Sequence, residues 1–176
     1  TDTAFLGRVG EVELGASAIA GLFYISVFML GFGFSTGTQI MIGRRNGEQA
    51  YDKVGQIFLQ SSYFFLALGL LLFLLIYFFG YPLLRVIVSS ENILGASEVY
   101  LKTRVFGILF AFGNLAFRSL LVGITQTKAL GYSAFLMAIT NVILDYIFIF
   151  GHLGLQPMGI HGAALASVIS EAVALV

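Results

Sequence analysis

The feature that most constrains this chain is a series of long apolar runs that contain no charged side chain. The clearest run covers residues 57–79 and is rich in Leu and Phe. Because roughly 20 apolar residues of helix cross a bilayer core, the run is long enough to span a membrane. With 59% hydrophobic and 10% charged residues among 176, the chain has too few polar side chains to cover a water-soluble globule. The sequence therefore predicts an all-α membrane protein.

Short polar connections divide the apolar residues into separate helices. Residues 43–53 gather three cations and two acids, and residues 123–128 and 151–158 are polar or rich in turn-forming residues. Residues 80–97 include Pro82 and several charged residues, which favours a connection with an interfacial turn. We expect a bundle of about five transmembrane helices in a single helical domain. The expected ranges are residues 1–176 for the domain and approximately 14–42, 57–79, 100–122, 129–150 and 159–176 for the helices.

The distribution of cations indicates an orientation in the membrane. Residues 43–53 are the connection densest in Lys and Arg, whereas residues 151–158 contain neither. Since cytosolic loops are enriched in these residues, we expect residues 43–53 to face the cytosol. The chain starts at Thr1 without a signal peptide and stops at Val176 within an apolar run. We therefore expect an internal piece of a larger multi-pass protein of the plasma (inner) membrane.

Several functional classes find no support in the sequence. The net charge is zero and the nine cations are dispersed, which argues against a nucleic-acid partner. The chain has no cysteine, no phosphate-binding loop and no arrangement of nucleophile and base, so we expect neither an enzyme nor a bound cofactor. His152 and His161 flank a glycine-rich turn without acids at ligand spacing, so we expect loop or interface residues there and no metal site.

Asp145 is the residue that points most directly to function. A carboxylate within a transmembrane helix costs about 2.5–3.5 kcal/mol at mid-span unless it is paired or faces water. Asn141 lies one turn earlier on the same helix face, and Met137 and Ser133 extend that line. A carboxylate and a carboxamide oxygen arranged in this way can bind Na⁺, or the acid can take up a proton. The sequence therefore predicts a cation-coupling or ion-binding site at Asp145 and Asn141. The alternative is that Asp145 reaches the headgroup region and that Asn141 bonds to a neighbouring helix.

Other charged residues lie near the ends of the apolar runs. The third helix has Lys102 and Arg104 at its start and Arg118 near its end, and we expect these cations to extend to the headgroups. For Arg118 the alternative is a substrate ligand. Glu171 stands either at the interface or in a functional position. The small residues spaced four apart predict close helix packing. These pairs are Ser17 and Gly21, Gly33 and Gly37, Ala134 and Ala138, and Ala163 and Ser167.

Several segments, taken in order, resemble the multidrug and toxin extrusion (MATE) family of cation-coupled efflux transporters. The resemblance extends over nearly the whole chain and rests on the order and spacing of the segments. The similar segments are residues 2–10 (DTAFLGRVG), 37–48 (GTQIMIGRRNGE), Tyr100-Leu101 with Gly107, 121–128 (LVGITQTK) and 159–164 (GIHGAA). The first of them resembles the loop between the family's first and second helices. The resemblance implies that the chain supplies helices two to six of the amino-terminal lobe in a twelve-helix transporter.

The resemblance also implies roles for particular residues. The family's cation site in this lobe combines a first-helix aspartate with an asparagine and an aspartate four apart on the fifth helix. Asn141 and Asp145 match that pair, and the first-helix aspartate is expected upstream of Thr1. A sixth-helix hydroxyl can contribute, for which Ser167 and Ser170 are minor candidates.

Three functions follow from these observations. The first is a secondary active transporter that exports organic compounds by H⁺ or Na⁺ antiport, with the lipid bilayer, a small organic substrate and the remaining transporter helices as partners. The second is a flippase for lipid-linked oligosaccharide or polysaccharide precursors of the same superfamily, against which the scarcity of interior cations counts. The third is a non-transporting membrane scaffold subunit.

Overall fold

The computed structural model describes residues 2–175, and within that range every regular element is an α-helix. The all-α membrane fold is therefore confirmed. The helices are α1 (Asp2–Leu6), α2 (Glu11–Gly47), α3 (Tyr51–Ile87), α4 (Glu91–Arg104), α5 (Gly107–Gly123), α6 (Thr127–Phe150) and α7 (Gly159–Val173).

Not all of these helices cross a bilayer alone. Between residues 2 and 175, three helices, α2, α3 and α6, are long and apolar enough to do so. Helices α4 and α5 meet at an angle of 49° and are together long and apolar enough for a fourth, broken span or a re-entrant loop, while α7 is a shorter apolar helix. The 37 residues of α2 extend over about 55 Å at 1.5 Å per residue. Since a hydrocarbon core is about 30 Å thick, its ends project beyond the core.

The middle of the chain differs from the expected boundaries. Helix α3 continues through Pro82 to Ile87, and α4 begins at Glu91, so the connection expected over residues 80–97 contains only residues 88–90. A proline removes one backbone donor, but staying helical satisfies the remaining backbone groups where water is absent. The third helix, expected as one span over residues 100–122, starts nine residues earlier, at Glu91, and is bent.

Phe112 of α5 fixes the distance between three helices. Its ring is 1% exposed and lies against glycines of α2 and α3. A Cβ atom on Gly31 would stand 2.7 Å from Phe112 Cζ, and one on Gly69 would stand 3.1 Å from Phe112 Cβ. The first distance is too short for any side chain and the second is tighter than most Cβ contacts, so the two glycines allow α2, α3 and α5 to approach.

The small-residue pattern predicted this packing only in part. Gly33 and Gly37 border open space on α2, whereas Ala163 and Ser167 on α7 are buried as expected. Four-residue spacing identifies a helix face but does not say which face meets a neighbour.

Helices α6 and α7 form the hairpin that positions the candidate site. Gly151, with φ of 74°, ends α6 in the left-handed conformation that glycine adopts without strain. A Cβ on Gly162 of α7 would stand 2.8 Å from the backbone carbon of Phe148, so the two helices touch closely near the turn. This packing brings one face of α6 against α7.

Candidate functional site

The buried face of α6 is polar. Asn141 and Asp145 are 7% and 0% exposed, and Ile149 is the remaining buried residue in this helix. Eight other side chains of α6 are large, apolar and exposed, as suits a helix in contact with lipid. The helix therefore directs its carboxylate and its carboxamide towards the protein interior.

Side chains from α1, α4 and α7 surround this face. The Ser167 hydroxyl donates to Asp2 Oδ2 at 2.7 Å, and the Tyr100 hydroxyl donates to the same oxygen at 3.3 Å. Asn141 Nδ2 lies 3.2 Å from Ser167 Oγ and 3.4 Å from Asp2 Oδ1 and donates to both. We call Asp2, Tyr100, Asn141, Asp145 and Ser167 the acidic cluster.

Asp145 is the unsatisfied member of the acidic cluster. Both of its carboxylate oxygens are buried, and neither accepts a hydrogen bond from any residue between 2 and 175. The charged side chain that acts on it is Asp2, whose carboxylate repels it. A buried carboxylate without a partner is strongly unfavourable. A proton or a small cation would remove that cost, and hard cations prefer oxygen ligands of the kind found here.

A cavity of about 260 Å³ adjoins the acidic cluster and gives it room for an ion or water. Its lining includes three members of the cluster, Asp2, Asn141 and Ser167, together with Arg104 and Glu171. Within residues 2–175, no group of three or more His, Asp or Glu side chains is placed to hold a metal ion. A monovalent ion here would therefore depend on two carboxylates with an amide and a hydroxyl.

The structure brings together most, but not all, of the site residues predicted from the sequence. Asn141, Asp145 and Ser167 lie in one cluster. Ser170 is buried and lines the same cavity, but its hydroxyl donates to the Ser167 carbonyl at 2.9 Å within α7 rather than to a side chain of the cluster.

Asp2 was missed by the sequence reasoning. The resemblance placed residues 2–10 in a loop and put the first acid upstream of Thr1, whereas Asp2 begins helix α1 and bonds to Ser167 and Asn141. The available signal was an acid two residues before the short apolar run Ala4-Phe5-Leu6, which is helical in the structure.

A second interior acid, Glu171, is largely buried and has a full set of partners. Arg104 Nη1 and Nη2 lie 2.8 and 2.5 Å from its two carboxylate oxygens, and the Tyr24 hydroxyl lies 3.1 and 3.2 Å from the same atoms. The Arg104 guanidinium carbon stands 3.8 Å above the Tyr24 ring. Gly107 leaves space for this arrangement, because a Cβ there would clash with Arg104 Nη1 and Glu171 Oε2. We call Tyr24, Arg104 and Glu171 the ion-pair cluster.

Two of the three cations assigned to the headgroups are instead turned inwards. Arg104 is held in the ion-pair cluster, and only Lys102 stays at the surface, where it pairs with Glu98 at 2.6 Å. The Arg118 guanidinium carbon lies 4.7 Å above the Phe32 ring, and its Nη1 is buried without a hydrogen-bond partner in residues 2–175. An arginine reaches the headgroups only where its stem points outwards, and the position along a helix does not fix that direction.

The two histidines remain outside these clusters. His152 lies after α6, with its ring stacked 4.3 Å from that of Tyr146, and His161 lies in the first turn of α7. Neither is part of a group that could hold a metal ion within the described residues.

Comparison with known sequences yields a family match over most of the chain. A family model described as MatE matches residues 1–147. The probable multidrug resistance protein NorM of Agrobacterium fabrum is 30% identical over 98% of this chain. The probable multidrug resistance protein YoeA of Bacillus subtilis is 27% identical over 88%. The matched regions cover 37% and 34% of those proteins, so the chain spans little more than a third of their length.

Solved structures share the arrangement of the helices. A crystal structure of MATE in the bent conformation has a TM-score of 0.91 at 22% identity, covering 98% of this chain and 38% of that one. An outward-facing multidrug resistance MATE family transporter of the MOP superfamily has the same TM-score and identity, with coverage of 99% and 38%. At this identity the likeness establishes the fold.

Proposed function

The chain belongs to the MatE family, and on that premise we propose that it forms part of the amino-terminal lobe of a secondary active transporter. The transporter exports organic compounds across the plasma membrane and uses an inward flow of H⁺ or Na⁺ as its driving force. The relatives named as probable multidrug resistance proteins, and the third of their length that this chain matches, support this proposal.

The observation that carries the proposal is Asp145, a fully buried acid without a hydrogen-bond donor between residues 2 and 175. We propose that the acidic cluster is the coupling site and that Asp2 is the first-helix acid. Either a proton or Na⁺ removes the repulsion between Asp2 and Asp145, so either ion suits the same chemistry. The hydrogen-bonding side chains around them, on α4, α6 and α7, supply the polar groups that would hold the ion.

Ion binding then changes which packing of the helices is favoured. With the ion bound, α1, α6 and α7 pack around a neutralised cluster, and after its release two like charges face one another. An ion that binds one conformation more tightly shifts the population towards it. In antiport, the ion-bound state releases substrate outside and the ion-free state receives substrate inside.

The flippase is the second candidate, because Arg118 lines an interior cavity. A lipid-linked pyrophosphate carries more than one negative charge and needs several inward cations to balance it. Within the described residues Arg104 is already neutralised by Glu171, which leaves Arg118 alone in the interior. This charge balance favours export of a singly charged or neutral organic compound.

Replacement of Asp145 by Asn in the complete protein that carries this chain tests the coupling site. We expect ion-driven efflux to fall to background, because Asn keeps the shape of the side chain but cannot change its charge. The matched control is Asp52→Asn, which alters an exposed acid in the first turn of α3. Efflux by Asp145→Asn at the wild-type rate would exclude Asp145 from coupling, and a wild-type protein without ion-driven transport would favour the scaffold.

A further inference from the structure

A cavity of about 310 Å³ lies between α2, α5, α6 and α7, next to the ion-pair cluster. Its walls are largely apolar and suit a compact organic body. The apolar lining includes Phe28, Ala111, Leu115, Leu130, Ala134 and Met137. The charged residues in the lining are Arg118 and Glu171.

The cavity carries a positive charge, because only one of its two charged residues is neutralised. Both carboxylate oxygens of Glu171 are bonded to Arg104 and Tyr24. Arg118 forms no ion pair with any residue between 2 and 175. The positive charge of Arg118 is therefore available to be neutralised by a molecule that binds in the cavity.

Arg118 is also the donor that the protein leaves unused. Asn114 Nδ2 donates to the Glu171 carbonyl at 2.9 Å, and the Ser133 hydroxyl donates to the Ala174 carbonyl at 2.6 Å. Arg118 Nη1, by contrast, is buried without an acceptor in the described residues. The Phe32 ring supports the guanidinium from one side without supplying an acceptor. A ligand with a hydrogen-bond acceptor would bond to the Arg118 Nη1 group, for which the described residues supply no acceptor.

We propose that Arg118 binds the carboxylate, or a similar anionic substituent, of an amphipathic organic substrate whose apolar body occupies this cavity. The planar guanidinium fork matches a carboxylate with two parallel hydrogen bonds, which a point charge such as an ammonium does not provide. This inference rests on the proposed export function and names its substrate class. Under this proposal, Arg118 makes the site bind an anionic or zwitterionic compound more tightly than its esterified, purely cationic counterpart.

Binding of two dyes to the purified complete protein in phosphatidylcholine nanodiscs tests the proposal without any ion gradient. Rhodamine 110 has a free carboxylate, and rhodamine 123 is its methyl ester, so the pair differs at one substituent. We expect the wild-type protein to bind rhodamine 110 about tenfold more tightly by fluorescence anisotropy. In Arg118→Gln this preference disappears, because rhodamine 110 binds more weakly and the cationic rhodamine 123 binds at least as tightly once the arginine charge is removed. Arg118→Lys recovers part of the preference because it restores the charge without the fork.

The matched control is Arg85→Gln, which removes an exposed cation from the last turn of α3 and leaves the preference intact. Equal affinity of the wild-type protein for the two dyes, or an unchanged preference in Arg118→Gln, overturns the proposal. Displacement of rhodamine 110 by phosphatidylglycerol would assign Arg118 to a lipid headgroup and likewise overturn it. Because binding is measured without ion-driven transport, a failed coupling site would leave these results unchanged, and the two proposals fail separately.

Discussion

Asp145 on α6 and Glu171 on α7 are both acids in the interior of an apolar helical bundle, but their surroundings differ. Glu171 receives hydrogen bonds from Arg104 and Tyr24 on both carboxylate oxygens. Asp145 receives none from the described residues and is repelled by Asp2. An acid with fixed hydrogen-bond partners holds helices together. An acid without such partners needs a proton or a cation, which can bind and leave. The difference separates a structural carboxylate from a carboxylate suited to ion coupling.

The largest expected effect comes from breaking the satisfied cluster. Glu171→Gln leaves the Arg104 guanidinium buried without a counter-charge, and we expect the free energy of unfolding to fall by about 3–5 kcal/mol. Denaturant titration in detergent micelles measures this. The control is the double variant Arg104→Gln with Glu171→Gln, which removes both charges and recovers much of the loss. A single variant as stable as the wild type would show that the ion pair contributes little.

The same carboxylate-to-amide change in the acidic cluster should have the opposite sign. Asp145→Asn replaces an unsatisfied buried carboxylate, so we expect the free energy of unfolding to rise by about 1–3 kcal/mol in the absence of a coupling ion. Stabilisation of the wild-type protein by added Na⁺ or by acidification should disappear in the variant. Denaturant titrations with and without Na⁺, at neutral and acidic pH, measure both effects. A loss of stability as large as that in Glu171→Gln would remove the distinction between the two acids.

The smallest effect is expected where an acid is paired but exposed. Glu48 follows α2 and accepts hydrogen bonds from Arg45 at 2.6 Å and Arg44 at 3.1 Å, which lower its pKa. Any stabilisation from a lowered pKa is present at neutral pH and is lost as the pH falls through that pKa. Because water and salt screen the pairs, we expect Glu48→Gln to leave the melting temperature unchanged at neutral pH. A drop similar to that of Glu171→Gln would mean that pairing matters more than burial.

The fold class could be predicted from the sequence more accurately than the ends and bends of the individual helices. Long charge-free runs identify membrane helices because the bilayer sets their length and leaves no water for exposed backbone groups. The bend between α4 and α5 was not predicted, since residues 100–122 are apolar enough to suggest one straight span. Pro82 was taken as the end of a helix, although proline within lipid-facing helices is tolerated.

In the candidate site, residues on one helix could be predicted to lie together, whereas residues far apart in the sequence could not. Asn141 and Asp145 were found together because a spacing of four residues fixes them on one helix face. Asp2 joins them from 139 residues away in sequence, and Arg104 meets Glu171 across 67 residues. No spacing rule connects such positions, because the contacts arise only when whole helices pack. The inward orientation of the Arg118 side chain could not be predicted from the sequence for the same reason.

The bare backbone at Gly107 has a consequence for how this sequence can change over evolutionary time. Any larger residue at that position would occupy the space now filled by Arg104 Nη1 and Glu171 Oε2. A homologue that acquires a side chain there must move the ends of the arginine and glutamate side chains, which disturbs their ion pair, or replace one or both residues. Positions 104, 107 and 171 are therefore expected to covary among homologous sequences.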